Sequence, residues 1–69
     1  MEISALNALK GTIKEIKTGE IIAELVIELA DGNQITSVIT KNSAEHLGLT
    51  VGKKVTAIIK ATNVMVGVD

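Results

Sequence analysis

The chain has 69 residues, 46% of them apolar, with no Cys, no aromatic residue and a net charge of −1. Missing cysteines exclude disulfides, iron–sulfur clusters and cysteine-ligated zinc, and the lone histidine, His46, cannot build a histidine metal site. Without aromatic stacking platforms or a surplus of positive charge, the sequence argues against nucleic-acid binding.

The expected elements are mostly strands, since Val, Ile and Thr are abundant and Pro is absent. Leu9, Gly11 and Ile13 alternate, then the phase slips to Ile16; the slip predicts a bulge near Lys14-Glu15. Thr18-Gly19-Glu20 reads as a turn. A long second strand follows, with Ile21, Ala23, Leu25, Ile27 and Leu29 on one face. Its other face mixes Ile22 and Val26 with Glu24 and Glu28, so it too is half apolar. Asp31-Gly32-Asn33 is a hairpin signal, and Gln34–Thr40 is the third strand. One helix is expected over roughly 42–47, with Asn42 and Glu45 placed as a capping box and Gly48 at the C-terminal left-handed position. Val51-Gly52 is another turn. Residues 53–60 make a fourth strand, and 63–68, with Val64, Val66 and Val68 around Met65, a fifth.

The order β1-β2-β3-α-β4-β5 predicts an all-β fold with one short helix: an OB-type five-stranded Greek-key barrel spanning residues 1–69 as a single domain. An SH3-like barrel is the rival from the pattern alone. A chain this short folds to a radius of roughly 11 Å, and such small cores are marginal by themselves. With disulfides and metal excluded, assembly with copies of itself is the expected route to stability, and the two-faced apolar strands supply the surface for it. No stretch approaches the ~20 consecutive apolar residues of a membrane span. The opening Met1-Glu2-Ile3-Ser4 lacks signal-peptide character, so a cytoplasmic setting is expected.

No catalytic motif is present, and an enzyme is not expected. The acidic pairs Glu24/Glu28 and Glu15/Glu20 read as solvated charge, and His46 as an exposed helix residue. A different constellation carries more chemistry. Thr40 and Ser43 place hydroxyls at the start of the helix, where backbone N–H groups favour an anion. Lys60 ends the fourth strand and leads into the polar corner Ala61-Thr62-Asn63, while Ser4 stands in the N-terminal segment. Several neutral donors with one or two lysines suit a small tetrahedral dianion. In the plainer alternative, Thr40, Asn42 and Ser43 merely cap the helix and Lys60 is a solvated strand end.

The opening Ile3-Ser4-Ala5-Leu6-Asn7-Ala8-Leu9-Lys10-Gly11 resembles the I-S-A-R-N-x-L-x-G start of the molbindins, the small Mop-type molybdate-binding proteins. The likeness continues through Ala23–Leu29, Gly32-Asn33, Ile35–Ile39, Leu47-Gly48-Leu49, Val51-Gly52-Lys53 and Ile59–Met65. The resemblance implies an OB-type barrel that assembles as a homohexamer, a trimer of dimers, storing and buffering molybdate or tungstate in pockets between subunits. It implies Ser4, Thr40, Ser43, Lys60 and the Ala61 backbone as oxyanion contacts, together with the position of Leu6. There the family carries Arg, a charged, fork-shaped donor. No organic cofactor is expected, since no aromatic side chain could stack on a pterin. The alternative reading keeps the oligomeric barrel as a structural or interaction module, its anion site weakened or lost through Leu6.

Overall fold

The computed structural model describes residues 1–69. Four strands, β1 (Asn7–Thr18), β2 (Ile22–Leu29), β3 (Gln34–Thr40) and β4 (Lys54–Ile59), form one antiparallel sheet in the order β3-β2-β1-β4. One short helix, α1 (Lys41–His46), stands between β3 and β4, and a single 3-10 turn follows at Ala61–Asn63.

The topology turns on β1, which is twelve residues long because it serves two neighbours. Its first half, Asn7 to Thr12, pairs with β4, and Gly11 to Thr18 pairs with β2. The register with β2 shifts between Ile13 and Glu15, so Lys14 is the extra residue of a bulge. A bulge bends its strand and increases the local twist, which lets one strand leave β4 and follow β2. This shared, bent first strand, with a helix between the third and fourth, is the OB-type arrangement expected from the sequence.

Gly11 lies where β1 carries both partners. A Cβ there would stand 2.7 Å from the Glu28 carbonyl oxygen and 2.7 Å from Ile27 Cγ2, so only glycine admits the close approach of β2.

The inward faces follow the alternation. Ile13, Ala23, Leu25, Ile27 and Ala57 are buried from the sheet, and Ala44 from the helix. Of these, only Ile13, Leu25 and Ile27 are large, and complete burial of such a side chain is worth about 1.5–3 kcal/mol. Three of them make a slight core for 69 residues. Ile22, Val38, Leu47, Val51 and Ile58 meanwhile stay exposed.

The helix starts one residue earlier than expected. Thr40, and not Asn42, is the N-cap: its Oγ1 accepts a hydrogen bond from the Ser43 amide at 3.0 Å. A hydroxyl three residues ahead of a free amide is the standard N-cap relation, and Thr40 reaches it directly from extended backbone. The other end is as predicted. Gly48 has φ +64°, its amide donates to the Glu45 carbonyl at 3.0 Å, and the Leu49 amide donates to the Ala44 carbonyl at 3.1 Å. That pair of bonds is a Schellman motif. Lys53 adds its ammonium to the Leu47 and Gly48 carbonyls.

The expected fifth strand does not form within the chain. After the 3-10 turn at Ala61–Asn63, residues 64–69 pair with no strand. Met65, Val66 and Val68 are 94%, 89% and 94% exposed. A strand exists only where an edge offers it backbone partners, and the turn carries this segment away from the sheet of its own chain. The radius of gyration, 12.7 Å, exceeds the roughly 11 Å of a compact chain of this length because the sheet is open and the tail projects.

Candidate functional site

The first turn of pairing between β1 and β4 decides which site residues meet. Asn7 lies opposite Ile59, so the segment preceding Asn7 runs on beside the residues that follow Ile59. Ser4 and Leu6 thereby come to line one open depression of about 600 Å³ with Lys60 and Ala61. Ile3 and Ile58 supply apolar wall, and Thr62 adds a polar group at the rim. The sequence reading missed Ile3 and Ile58; the signal lay in the strand register, which alternation within one strand does not give.

The donors are of two kinds. Lys60 closes β4 in extended backbone (φ −64°, ψ 137°), and its ammonium takes part in no ion pair. The 3-10 turn satisfies itself through the Asn63 amide on the Lys60 carbonyl and the Val64 amide on the Ala61 carbonyl. The amides at the start of such a turn, Ala61 and Thr62, fall outside that internal bonding. Leu6 is 87% exposed at the same depression, and its side chain offers no donor.

Thr40 and Ser43 stand elsewhere. They belong to the β3–α1 junction, and β3 is the opposite edge of the sheet from β4. Here Thr40 Oγ1 donates to Ser43 Oγ at 2.8 Å while accepting the Ser43 amide. One hydroxyl proton of the pair bridges the two oxygens, and the other is left to donate outward. Ser43 lines a shallow depression with Asn42, His46 and Leu47. The six residues singled out from sequence therefore fall into two groups: Ser4, Leu6, Lys60 and Ala61 on one edge, Thr40 and Ser43 on the other.

The acidic residues do not build a rival site. Glu28 pairs with Lys14 at 2.8 Å and Glu15 with Lys17 at 3.7 Å. No three His, Cys, Asp or Glu side chains are grouped to hold a metal ion, and His46 is exposed. What the first group can do chemically is cradle an anion, with one fixed positive charge, a serine hydroxyl and backbone N–H donors.

Comparison with known proteins gives the family. Residues 3–66 match the TOBE domain. Molybdenum-pterin-binding protein 1 of Clostridium pasteurianum is 52% identical over 66 residues, which cover 96% of this chain and 97% of that one. Among solved structures, MopII from Clostridium pasteurianum superposes with a TM-score of 0.92 at 46% identity, over 97% of this chain and 100% of that one. The cytoplasmic molybdate-binding protein ModG, solved with molybdate bound, superposes with a TM-score of 0.95 at 45% identity, over 100% of this chain and 49% of its own. With the sheet order and these likenesses agreeing, the chain belongs to the TOBE-domain family, among its small molybdenum-pterin-binding (Mop) members.

Proposed function

We propose that residues 1–69 form one non-enzymatic module that binds molybdate or tungstate inside the cell, stores it, and buffers its free level. The observation that carries this reading is the meeting of Ser4, Lys60 and Ala61 at one depression while the paired Thr40 and Ser43 hydroxyls stand on the far edge of the same sheet. A single chain cannot close these donors around one ion. Two chains, set edge to edge, can. The oxyanion is therefore held between subunits of a homohexamer, a trimer of dimers, with Ser4, Lys60 and Ala61 from one protomer and the hydrogen-bonded Thr40–Ser43 hydroxyl pair, which has one proton left to donate, from its partner.

The slight core and the bare apolar tail support the assembly. Val64, Met65, Val66 and Val68 are exposed in the lone chain, and the edges of β3 and β4 lack partners. An apolar extended segment beside an unpaired edge favours strand addition between copies. ModG is described as a cytoplasmic protein, and no helix here is long and apolar enough to cross a membrane; a cytoplasmic setting fits both. The ligand is the bare oxyanion, since the chain has no aromatic ring for a pterin to stack on.

A second reading rests on Leu6. The depression has an aliphatic side chain where the family carries a charged donor, and a module of this kind keeps its assembly with a weak or silent anion site. Calorimetric titration with sodium molybdate separates the two. Saturable heat, with Lys60→Ala weakening binding and leaving the sedimentation coefficient unchanged, is the expected result. Absence of heat at millimolar molybdate from a protein that still assembles would leave only the structural module.

A further inference from the structure

Lys60 is the only charged residue that lines the depression with Ser4, Leu6 and Ala61. On the edge that carries Thr40 and Ser43, the facing depression is lined by Asn42, Ser43, His46 and Leu47, with neither a lysine nor a carboxylate among them. The other lysines are placed elsewhere. Lys14 and Lys17 pair with Glu28 and Glu15, and Lys53 holds the carbonyls of Leu47 and Gly48. Lys41 lines a cleft with Glu45 on the other face of α1, and Lys10 and Lys54 line a depression with Met1. The two edges together therefore offer an anion one permanent positive charge.

Much of the remaining wall is aliphatic. Ile3, Leu6 and Ile58 line the Lys60 side and Leu47 the Ser43 side, all four exposed in the lone chain. An ion closed between the edges exchanges water on those sides for side chains that offer no hydrogen bond. What the exchange costs depends on charge. The free energy of removing an ion from water rises with the square of its charge, so for equal radius a dianion costs about four times as much as a monoanion. Attraction to Lys60 rises only in proportion to charge, and is about twice as strong for the dianion. Desolvation of a charge rivals its attraction to a single partner. With one cation present, the second negative charge thus adds more penalty than attraction.

Resting on the molybdate reading of the Lys60 corner, we infer that this corner prefers low charge density to double charge. A singly charged tetrahedral oxyanion as large as molybdate binds there at least as tightly as molybdate itself. Leu6 is the residue that sets the preference, since it lines the depression with an apolar side chain beside the lone ammonium.

The probe is perrhenate, a singly charged tetrahedral ion close to molybdate in size. Dissociation constants for both ions are measured on the full chain by calorimetry at constant ionic strength and pH 8, where an imidazole is neutral. Each ion is then titrated again in the presence of the other. Perrhenate should bind at least as tightly as molybdate and displace it, and Lys60→Ala should weaken both. An arginine at position 6 attracts the dianion about twice as strongly as the monoanion, so Leu6→Arg should move the ratio of the two constants toward molybdate by about three- to tenfold. Sedimentation of each variant establishes that it still assembles. A parent that binds molybdate about tenfold more tightly than perrhenate would overturn the inference and leave the molybdate reading standing. So would a ratio unmoved in an assembled Leu6→Arg. Perrhenate binding unaltered in Lys60→Ala would place that ion outside the corner and overturn the inference as well. If the assembled parent binds neither ion, the molybdate reading itself falls, and this preference with it.

Discussion

Thr40 Oγ1 and Ser43 Oγ are 2.8 Å apart, with Thr40 the donor, and the same Thr40 oxygen accepts the Ser43 amide at 3.0 Å. The two hydroxyls, equal candidates in the sequence, are therefore unequal in the fold. Thr40 caps the helix; Ser43 does not, and the pair together has one hydroxyl proton left to offer. Thr40→Ala should cost about 1 kcal/mol of stability, the usual worth of such a cap. Ser43→Ala keeps the amide that the cap satisfies, so its unfolding midpoint should barely move while molybdate binding weakens. Urea denaturation beside calorimetry of the two variants checks both halves. Equal loss of stability in both would show that Ser43 acts through the cap alone.

Leu6 gives the sharpest prediction about affinity. It is exposed at the depression that Lys60 and Ala61 line, so an arginine there can reach the same ion. A charge-assisted hydrogen bond contributes about 1.5–3 kcal/mol, roughly tenfold to a hundredfold in affinity. Leu6→Arg should tighten molybdate binding by about that factor in a calorimetric titration. An unchanged dissociation constant would mean that position 6 does not face the ion once the protein has assembled.

The tail tests assembly. Val66 touches almost nothing in the lone chain, being 89% exposed. A charge placed there costs the protomer little. If copies bury the tail against one another, a carboxylate taken out of water without a partner is expensive. Val66→Asp should leave the far-ultraviolet circular dichroism of the strands intact and shift the sedimenting species to smaller size. A hexamer that survives the substitution would remove the tail from the interface.

Much of this fold was legible because its signals are local. The slip of alternation between Ile13 and Ile16 announced the bulge at Lys14, and Gly48 announced the Schellman turn. Two-sided apolar character in β2 announced surplus surface, which Ile22 now displays. The rest depends on long-range pairing. Which site residues share a depression is decided by β1 meeting β4 across most of the chain, and no spacing within Ser4–Leu6 or Lys60–Ala61 carries that information. The fifth strand failed for a related reason: residues 63–68 have strand composition, but a strand also needs backbone partners, and after the turn at Ala61–Asn63 this segment does not return to either free edge of its own sheet. Cap choice was missed by two residues, since Thr40 and Asn42 are both good caps and only the exit angle of β3 selects between them.

Gly11 offers a stability test in which two effects have opposite signs. Within a strand, glycine to alanine relieves the entropy cost of ordering a flexible residue and by itself gains about 0.4–1 kcal/mol. Here the added methyl would stand 2.7 Å from the Glu28 carbonyl oxygen and 2.7 Å from Ile27 Cγ2. Ile27 is buried and the carbonyl is backbone, so neither can withdraw without displacing β2, the strand that carries half of the core. Overpacking of this kind costs about 1–3 kcal/mol, which outweighs the entropy gain. Gly11→Ala should therefore lower the urea midpoint, by a net of roughly 1–2 kcal/mol. It should also weaken assembly, since the outer face of β1 moves with the strand. Gly67 is the control: a Cβ there meets nothing, and Gly67→Ala should leave the midpoint where it was. If Gly11→Ala proves as stable as the parent, β2 does not approach β1 as closely as the register at Gly11 and Leu29 requires.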